Sequence, residues 1–265
     1  MSPAPPVIAL LGFGEAGSAF ARDLLAQGVT VRAYDPKVTP ASPATVTKSE
    51  ADAVSGAEVV LSVNSAHDAV DAITAGIAAA APGAVWADMN TASPSTKQRL
   101  AEIAGQYGIA FADIAIMAPV LGKGLSVPML VSGDGAERAS EMLRPLGVTI
   151  DIEPGEAGVA ATRKLLRSVF FKGLAAAVFE ALEAGRAAGC EEWLRSNIVN
   201  ELSSADATTV DRLVSGTVQH AARRADEMAA AAEMLSDLGV EPSIARASRD
   251  LLVRLTATAN GAAEH

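Results

Sequence analysis

A chain of 265 residues, 50% hydrophobic but only 4% aromatic, builds its core from Ala, Val, Leu and Ile and is long enough for one large or two ordinary domains. Its formal net charge of −10 argues against the basic surface that nucleic acid or an anionic membrane requires, so neither is expected as a partner. The single Cys190 can form no internal disulfide, which suits a reducing, cytoplasmic setting.

The first predicted element is the apolar run VIALL, residues 7–11, which follows a stretch without basic residues and is too short for a signal peptide or a membrane span. It passes directly into Gly12-Phe13-Gly14-Glu15-Ala16-Gly17. Three glycines at this spacing carry little weight alone in a chain with 22 Gly, so the context decides. A helix opens inside the turn, with Ala16, Ala19, Phe20, Leu24 and Gln27 at helical spacing, and Gly28 caps it. A second strand over 29–34 then ends at Asp35, roughly 20 positions on, where a dinucleotide-binding turn places its acidic residue. In that reading Gly12 makes the turn, Gly14 admits a pyrophosphate, and Gly17 lets helix and strand pack. Asp35 would accept hydrogen bonds from ribose hydroxyls and repel a 2′-phosphate. Lys37 is the one nearby cation that favours the phosphate, so NAD is expected over NADP.

Strands are predicted over 58–63, 84–88, 109–116, 128–131 and 148–152, with helices over 66–80, 94–107 and 136–146. Such alternation builds a parallel sheet. No strand pattern recurs after residue 155. Helices are expected over 156–188, 191–200, 215–238 and 242–259, the last opened by Pro242 in its first turn. The chain thus divides near residue 153 into an α/β half, 1–153, and an all-helical half, 154–265.

Moving a hydroxyl proton needs an acid/base, and the candidates are few. Tyr34 and Tyr107 lack a lysine four residues on, and His67, His220 and His265 have no evident aspartate partner. The long helix carries Lys164, Ser168 and Lys172 along one side, with Arg163 and Arg167 beside them. Cations gathered in an acidic chain fit an anionic substrate, and equally a solvated helix face. Further on, His220, Arg223 and Arg224 stand one helical turn apart and can converge on one anion, unless the arginines pair with Asp226 or Glu227. No metal site is expected.

Four features occur in order: the glycine fingerprint, Asp88-Met89-Asn90-Thr91-Ala92-Ser93-Pro94, residues 113–122, and Gly155-x-x-Gly158 followed by Lys164. With them the sequence resembles the β-hydroxyacid dehydrogenases, the family of 3-hydroxyisobutyrate and 6-phosphogluconate dehydrogenases. The resemblance implies a Rossmann-type α/β N-terminal domain followed by an all-α C-terminal domain, and a homodimer paired through the helices. It makes Lys164 the catalytic acid/base, sets Asn90 and Thr91 beside nicotinamide and substrate, and lines the cofactor crevice with Val63 and Asn64. Departures from the family pattern are Ser168 for an Asn, Leu121-Gly122-Lys123 for Ser-Gly-Gly, Ala16 for a Met, and Asp226-Glu227 for a Lys-Asp pair. The expected activity is NAD(P)-dependent oxidation or reduction at the CH–OH group of a small anionic substrate held by Lys123, Ser168, Lys172, His220, Arg223 and Arg224. Two alternatives stand beside it. One is an imine reductase on the same scaffold, against which retention of Lys164 weighs; the other is a dinucleotide sensor without turnover.

Overall fold

The computed structural model describes residues 6–40 and 43–262. They form two compact units, one up to Arg167 and one from Ser168 onward.

The first unit begins β1 (Val7–Leu11), α1 (Glu15–Ala26), β2 (Thr30–Tyr34), β3 (Thr45–Val46), α2 (Glu50–Val54), β4 (Val59–Ser62) and α3 (Ala69–Gly76). It continues with β5 (Val85–Asp88), α4 (Pro94–Gln106), β6 (Ala110–Ile116), β7 (Met129–Ser132), α5 (Ala136–Leu143) and β8 (Ile150–Ile152). The eight strands make one sheet in the order β3-β2-β1-β4-β5-β6-β7-β8. β4 and β5 are buried at every residue, as strands covered on both faces must be, which is why they read as unbroken apolar runs. One apolar cluster gathers Phe20, Leu24, Val31 and Val131, and a second gathers Val54, Ile73, Trp86 and Leu100.

The alternation predicts a parallel sheet, and β7 departs from it by running antiparallel to β6. The connection between them, residues 117–128, holds only a single 3-10 turn at Gly124–Ser126 and no crossover helix that could return the chain for parallel pairing. The short β3 and α2 also escape the periodicity; Ser49 caps α2 by accepting a hydrogen bond from the Asp52 amide at 3.1 Å.

α6 (Val159–Ala187) continues without interruption from the first unit into the second. Its 29 residues span about 44 Å at 1.5 Å per residue. The second unit adds α7 (Glu191–Ser203), α8 (Thr209–Gln219), α9 (Ala221–Asp237) and α10 (Ser243–Ala262). Ala184, Leu235 and Val240 form one of its small apolar clusters, and Ala221, Ala225 and Leu252 the other. Glu180, 9% exposed, serves α10 from a distance: its carboxylate accepts from the Ile244 and Ala245 amides at 2.7 and 2.9 Å.

The single helix expected over 215–238 is two helices. The chain leaves helical geometry at His220, with φ −115° and ψ 23°. α9 buries Ala221, Ala225, Ala232 and Leu235, whereas α8 buries no residue. The break at His220 separates a helix whose small-residue stripe packs from one whose apolar side chains stay exposed.

Candidate functional site: a dinucleotide cleft and a buried ionic relay

A cleft of about 410 Å³ opens where β1, β2 and β4 end. This is the reversal point of the strand order, where open α/β sheets bind ligands beyond the carboxyl ends of their strands. Gly12 turns here with φ +103°, and a Cβ on it would stand 2.6 Å from the Val63 carbonyl oxygen. Only glycine fits. A Cβ on Gly17 would stand 2.1 Å from the Gly12 carbonyl oxygen, which sets how closely α1 follows the turn. Gly14 differs: a Cβ there meets nothing within 4 Å, and the residue is exposed on the cleft wall at the start of α1. The fold leaves that space open beside a helix N-terminus, whose free amides suit an anionic group such as a pyrophosphate.

Of the residues expected at the cofactor, Gly12, Gly14, Asp35, Val63 and Asn64 line this cleft. The Phe13 side chain is buried in the core, and its amide donates to Asp35 Oδ2 at 2.7 Å. Glu15 is exposed and Ala16 half-buried on α1. Asp35 Oδ1 accepts from the Lys37 and Val38 amides at 2.7 and 2.9 Å. Burial pulls the Asp35 carboxyl upward, but these backbone hydrogen bonds and the Lys37 charge outweigh it and hold the group below its ordinary value. Asp35, Glu50, Asp68 and Asp71 all line the cleft, against one lining cation, Lys37. That cation is engaged, with Nζ 3.6 Å from Asp68 Oδ2. The Ser65 hydroxyl donates to the same Asp68 oxygen at 2.8 Å; this bond and the Lys37 and His67 charges lower the Asp68 carboxyl.

Beside the cleft lies a polar network that sequence reasoning passed over. Asp88 on β5 and Asp113 on β6 are register partners, both fully buried. Lys97 on α4, 1% exposed, reaches both, with Nζ 2.6 Å from Asp88 Oδ1 and 3.0 Å from Asp113 Oδ1. It also donates to the Asp88 carbonyl at 2.8 Å. The available signal was position: Lys97 shares the buried face of α4 with Leu100 and Ala104. Asn90 is 7% exposed and its amide donates to Asp88 Oδ2 and Asn64 Oδ1, both at 2.7 Å, while Thr91 is exposed.

Lys164 is half-buried on the second turn of α6, in the first unit. Its neighbour Arg163 is engaged by Glu153 at 2.7 Å. Lys123 is exposed on a loop held to α1 by a 3.0 Å hydrogen bond from the Leu125 amide to Asp23. In the second unit Ser168 is half-buried and Lys172 exposed. His220 is exposed at the α8–α9 break, Arg223 pairs with Glu227, and Arg224 donates to Thr217 at 3.0 Å. The two arginines are thus directed to different partners.

The sequence model of the "NAD binding domain of 6-phosphogluconate dehydrogenase" matches residues 7–148, more than half of the chain. The chain belongs to this family. It has the scaffold of an NAD(P)-dependent oxidoreductase in the β-hydroxyacid dehydrogenase superfamily, an N-terminal Rossmann region followed by an all-α C-terminal region. Residues 186–255 match a second family, described as "Domain of unknown function (DUF1932)". An NAD-dependent L-serine dehydrogenase of Pseudomonas aeruginosa is 26% identical over 91% of this chain and 86% of its own length. A 3-hydroxyisobutyrate dehydrogenase of the same organism is 28% identical over 74% of this chain and 70% of its own. Among solved structures, a Streptomyces aurantiacus imine reductase matches with a TM-score of 0.79, covering 94% of this chain and 93% of that one; at 19% identity this is a likeness of fold. Family members and fold neighbours thus include both dehydrogenases and imine reductases. Among the described residues no helix is long and apolar enough to cross a membrane.

Proposed function

We propose that this protein uses NAD to oxidise the CH–OH group of a small hydroxy acid, with Lys164 accepting the hydroxyl proton. The observation that carries the reading is the cleft itself: open at Gly14, turned by Gly12, and lined by four carboxylates against one paired lysine. Such a rim disfavours a 2′-phosphate, which supports NAD over NADP. Asp35 and the amides that open α1 would hold the adenosine and pyrophosphate ends, and Val63 and Asn64 line the same cleft. NAD, when bound, would supply the hydride acceptor for this oxidation. The Lys164 amine takes the hydroxyl proton as the carbonyl forms, and Thr91, in the loop between β5 and α4, orients the substrate.

The names of the two Pseudomonas aeruginosa relatives point to small acids bearing a hydroxyl on the β-carbon, and these are the first substrates to assay. Lys123, Ser168, Lys172, His220, Arg223 and Arg224 are the candidates for holding the acid group. A residue that does so raises KM on mutation to Ala without moving NAD affinity. The chain is further proposed to work in the cytoplasm as a homodimer paired through its helical part, with neither nucleic acid nor membrane as partner.

Reduction of a C=N bond is the second reading, supported by the imine reductase fold likeness. One assay series separates the two: NAD reduction with L-serine, 3-hydroxyisobutyrate and other hydroxy acids, beside NADH and NADPH oxidation with cyclic imines. Lys164→Ala should lower hydroxy-acid turnover by about 100-fold, the scale of a lost general base, with NAD binding retained. Turnover of imines alone selects the second reading. NAD binding with no turnover in any assay identifies a sensor.

A further inference from the structure

The buried ions are joined into a continuous path from the cofactor cleft to the helix of Lys164. Asn64, on the cleft wall, accepts from Asn90; Asn90 donates to Asp88; Lys97 joins Asp88 to Asp113. Asp113 Oδ2 then accepts from the Gly158 and Ala161 amides, both at 3.0 Å. Ser132 Oγ accepts from the Ala160 amide at 3.0 Å and donates to the same Asp113 oxygen at 3.4 Å. These are the amides at the N-terminus of α6, Gly158 just before the helix and Ala160 and Ala161 in its first turn, which have no acceptor within the helix. Three of them are therefore served by side chains of β6 and β7 rather than by a capping residue of the helix itself.

The charges explain why the arrangement holds. Two buried carboxylates on adjacent strands meet one ammonium, leaving one negative charge in excess. The positive end of the α6 dipole, roughly half a charge, lies against Asp113 and offsets it. Gly158 completes the joint: its φ is +103°, and a Cβ there would stand 3.0 Å from the Pro94 carbonyl oxygen at the start of α4. Lys164 follows Ala160 and Ala161 by one turn, so the position of those amides sets where its backbone stands.

We infer that Lys97 and Asp113 are positioning residues: through them, occupation of the dinucleotide cleft at Asn64 and Asn90 fixes the first turn of α6 and so places Lys164. The inference rests on Lys164 as the acid/base for its catalytic consequence, but its physical content is separately measurable. Coupling between two sites is established only when a ligand at one changes a measured equilibrium at the other, and the path lost on mutation supplies the control.

The test is hydrogen exchange on the full-length protein at the amides of residues 158–162, with and without NAD. NAD should slow exchange there about 10-fold or more in the wild type. In Asp113→Asn that extra protection should disappear while the Kd for NAD stays within about threefold, and kcat should fall at least 10-fold with KM for NAD unmoved. Ser132→Ala, a milder change, should lose the effect at Ala160 alone, and Ser132→Thr should restore it. Exchange at 158–162 that ignores NAD in the wild type overturns the inference, whatever the variants do. So does NAD-dependent protection that persists in Asp113→Asn. If the exchange results hold but Lys164→Ala keeps full turnover, the relay stands and the acid/base assignment falls.

Discussion

The Phe13 amide donates a 2.7 Å hydrogen bond to Asp35, so the end of the second strand holds the glycine turn that follows the first. Asp35 is therefore a residue of the turn as well as of the proposed ribose site. Asp35→Ala should weaken NAD binding at least 10-fold and narrow the preference for NAD over NADP, measured by calorimetric titration of both. It should also cost about 1–2 kcal/mol of stability, because three backbone donors lose an acceptor in a partly solvated place. A variant that binds NAD normally, or a wild type that prefers NADP, contradicts the ribose assignment.

Acid should act on the same end of the cleft. The folded-state values of Asp35 and Asp68 both lie below the ordinary 3.8, so the stability they contribute is present above that pH. It is lost as the pH falls through their depressed folded values, where the folded protein must take up protons it otherwise excludes. The melting temperature should drop as the pH falls below about 4, and Asp35→Asn should drop less over that interval. Equal acid sensitivity in wild type and Asp35→Asn would place the effect elsewhere.

The glycines should separate by readout. Gly12→Ala forces a side chain to φ +103° and into backbone 2.6 Å away, at a cost of about 3 kcal/mol or more, and should lower the melting temperature steeply. Gly14→Ala meets open space and should melt like the wild type, yet bind NAD at least 10-fold more weakly. Normal NAD affinity in folded Gly14→Ala would remove the pyrophosphate from that wall.

The exposed apolar residues of the helical unit predict its assembly. Trp193 and Val199 on α7, with Val210, Leu213, Val214 and Val218 on α8, are all more than half exposed. So much large apolar surface on two helices without a buried residue calls for cover. Light scattering should give twice the chain mass of 26.9 kDa, and Leu213→Glu combined with Val214→Glu should shift it toward a folded single chain. A single-chain mass for the wild type at micromolar concentration rules the pairing out.

The β1–turn–α1–β2 unit was legible because each of its signals is local: an apolar run, fixed glycine spacing, a helical stripe and Asp35 at a set distance. The long helix bearing Lys164 was legible from its length. The antiparallel β7 was not, since strand direction depends on the path of residues 117–128 rather than on composition. The break at His220 was hidden because α8 and α9 together keep one helical composition, and only packing distinguishes their faces. The Lys97 network was out of reach for a related reason. Its members stand on β5, α4, β6 and α6, and a buried lysine shows its purpose only when the sheet sets two aspartates beside it.

The capping of α6 by β6 and β7 bears on how the chain folds during its synthesis. The first turn is the costly step in making a helix, with a penalty of about a thousandfold, while each later residue adds at little cost. In α6 the acceptors for that turn, Asp113 and Ser132, belong to a sheet whose strands all precede the helix in the chain. A folded sheet thus offers a ready nucleus to the next residues made. The helix can then lengthen from its N-terminal end, in the order in which its residues leave the ribosome, before α7 to α10 exist to pack with it.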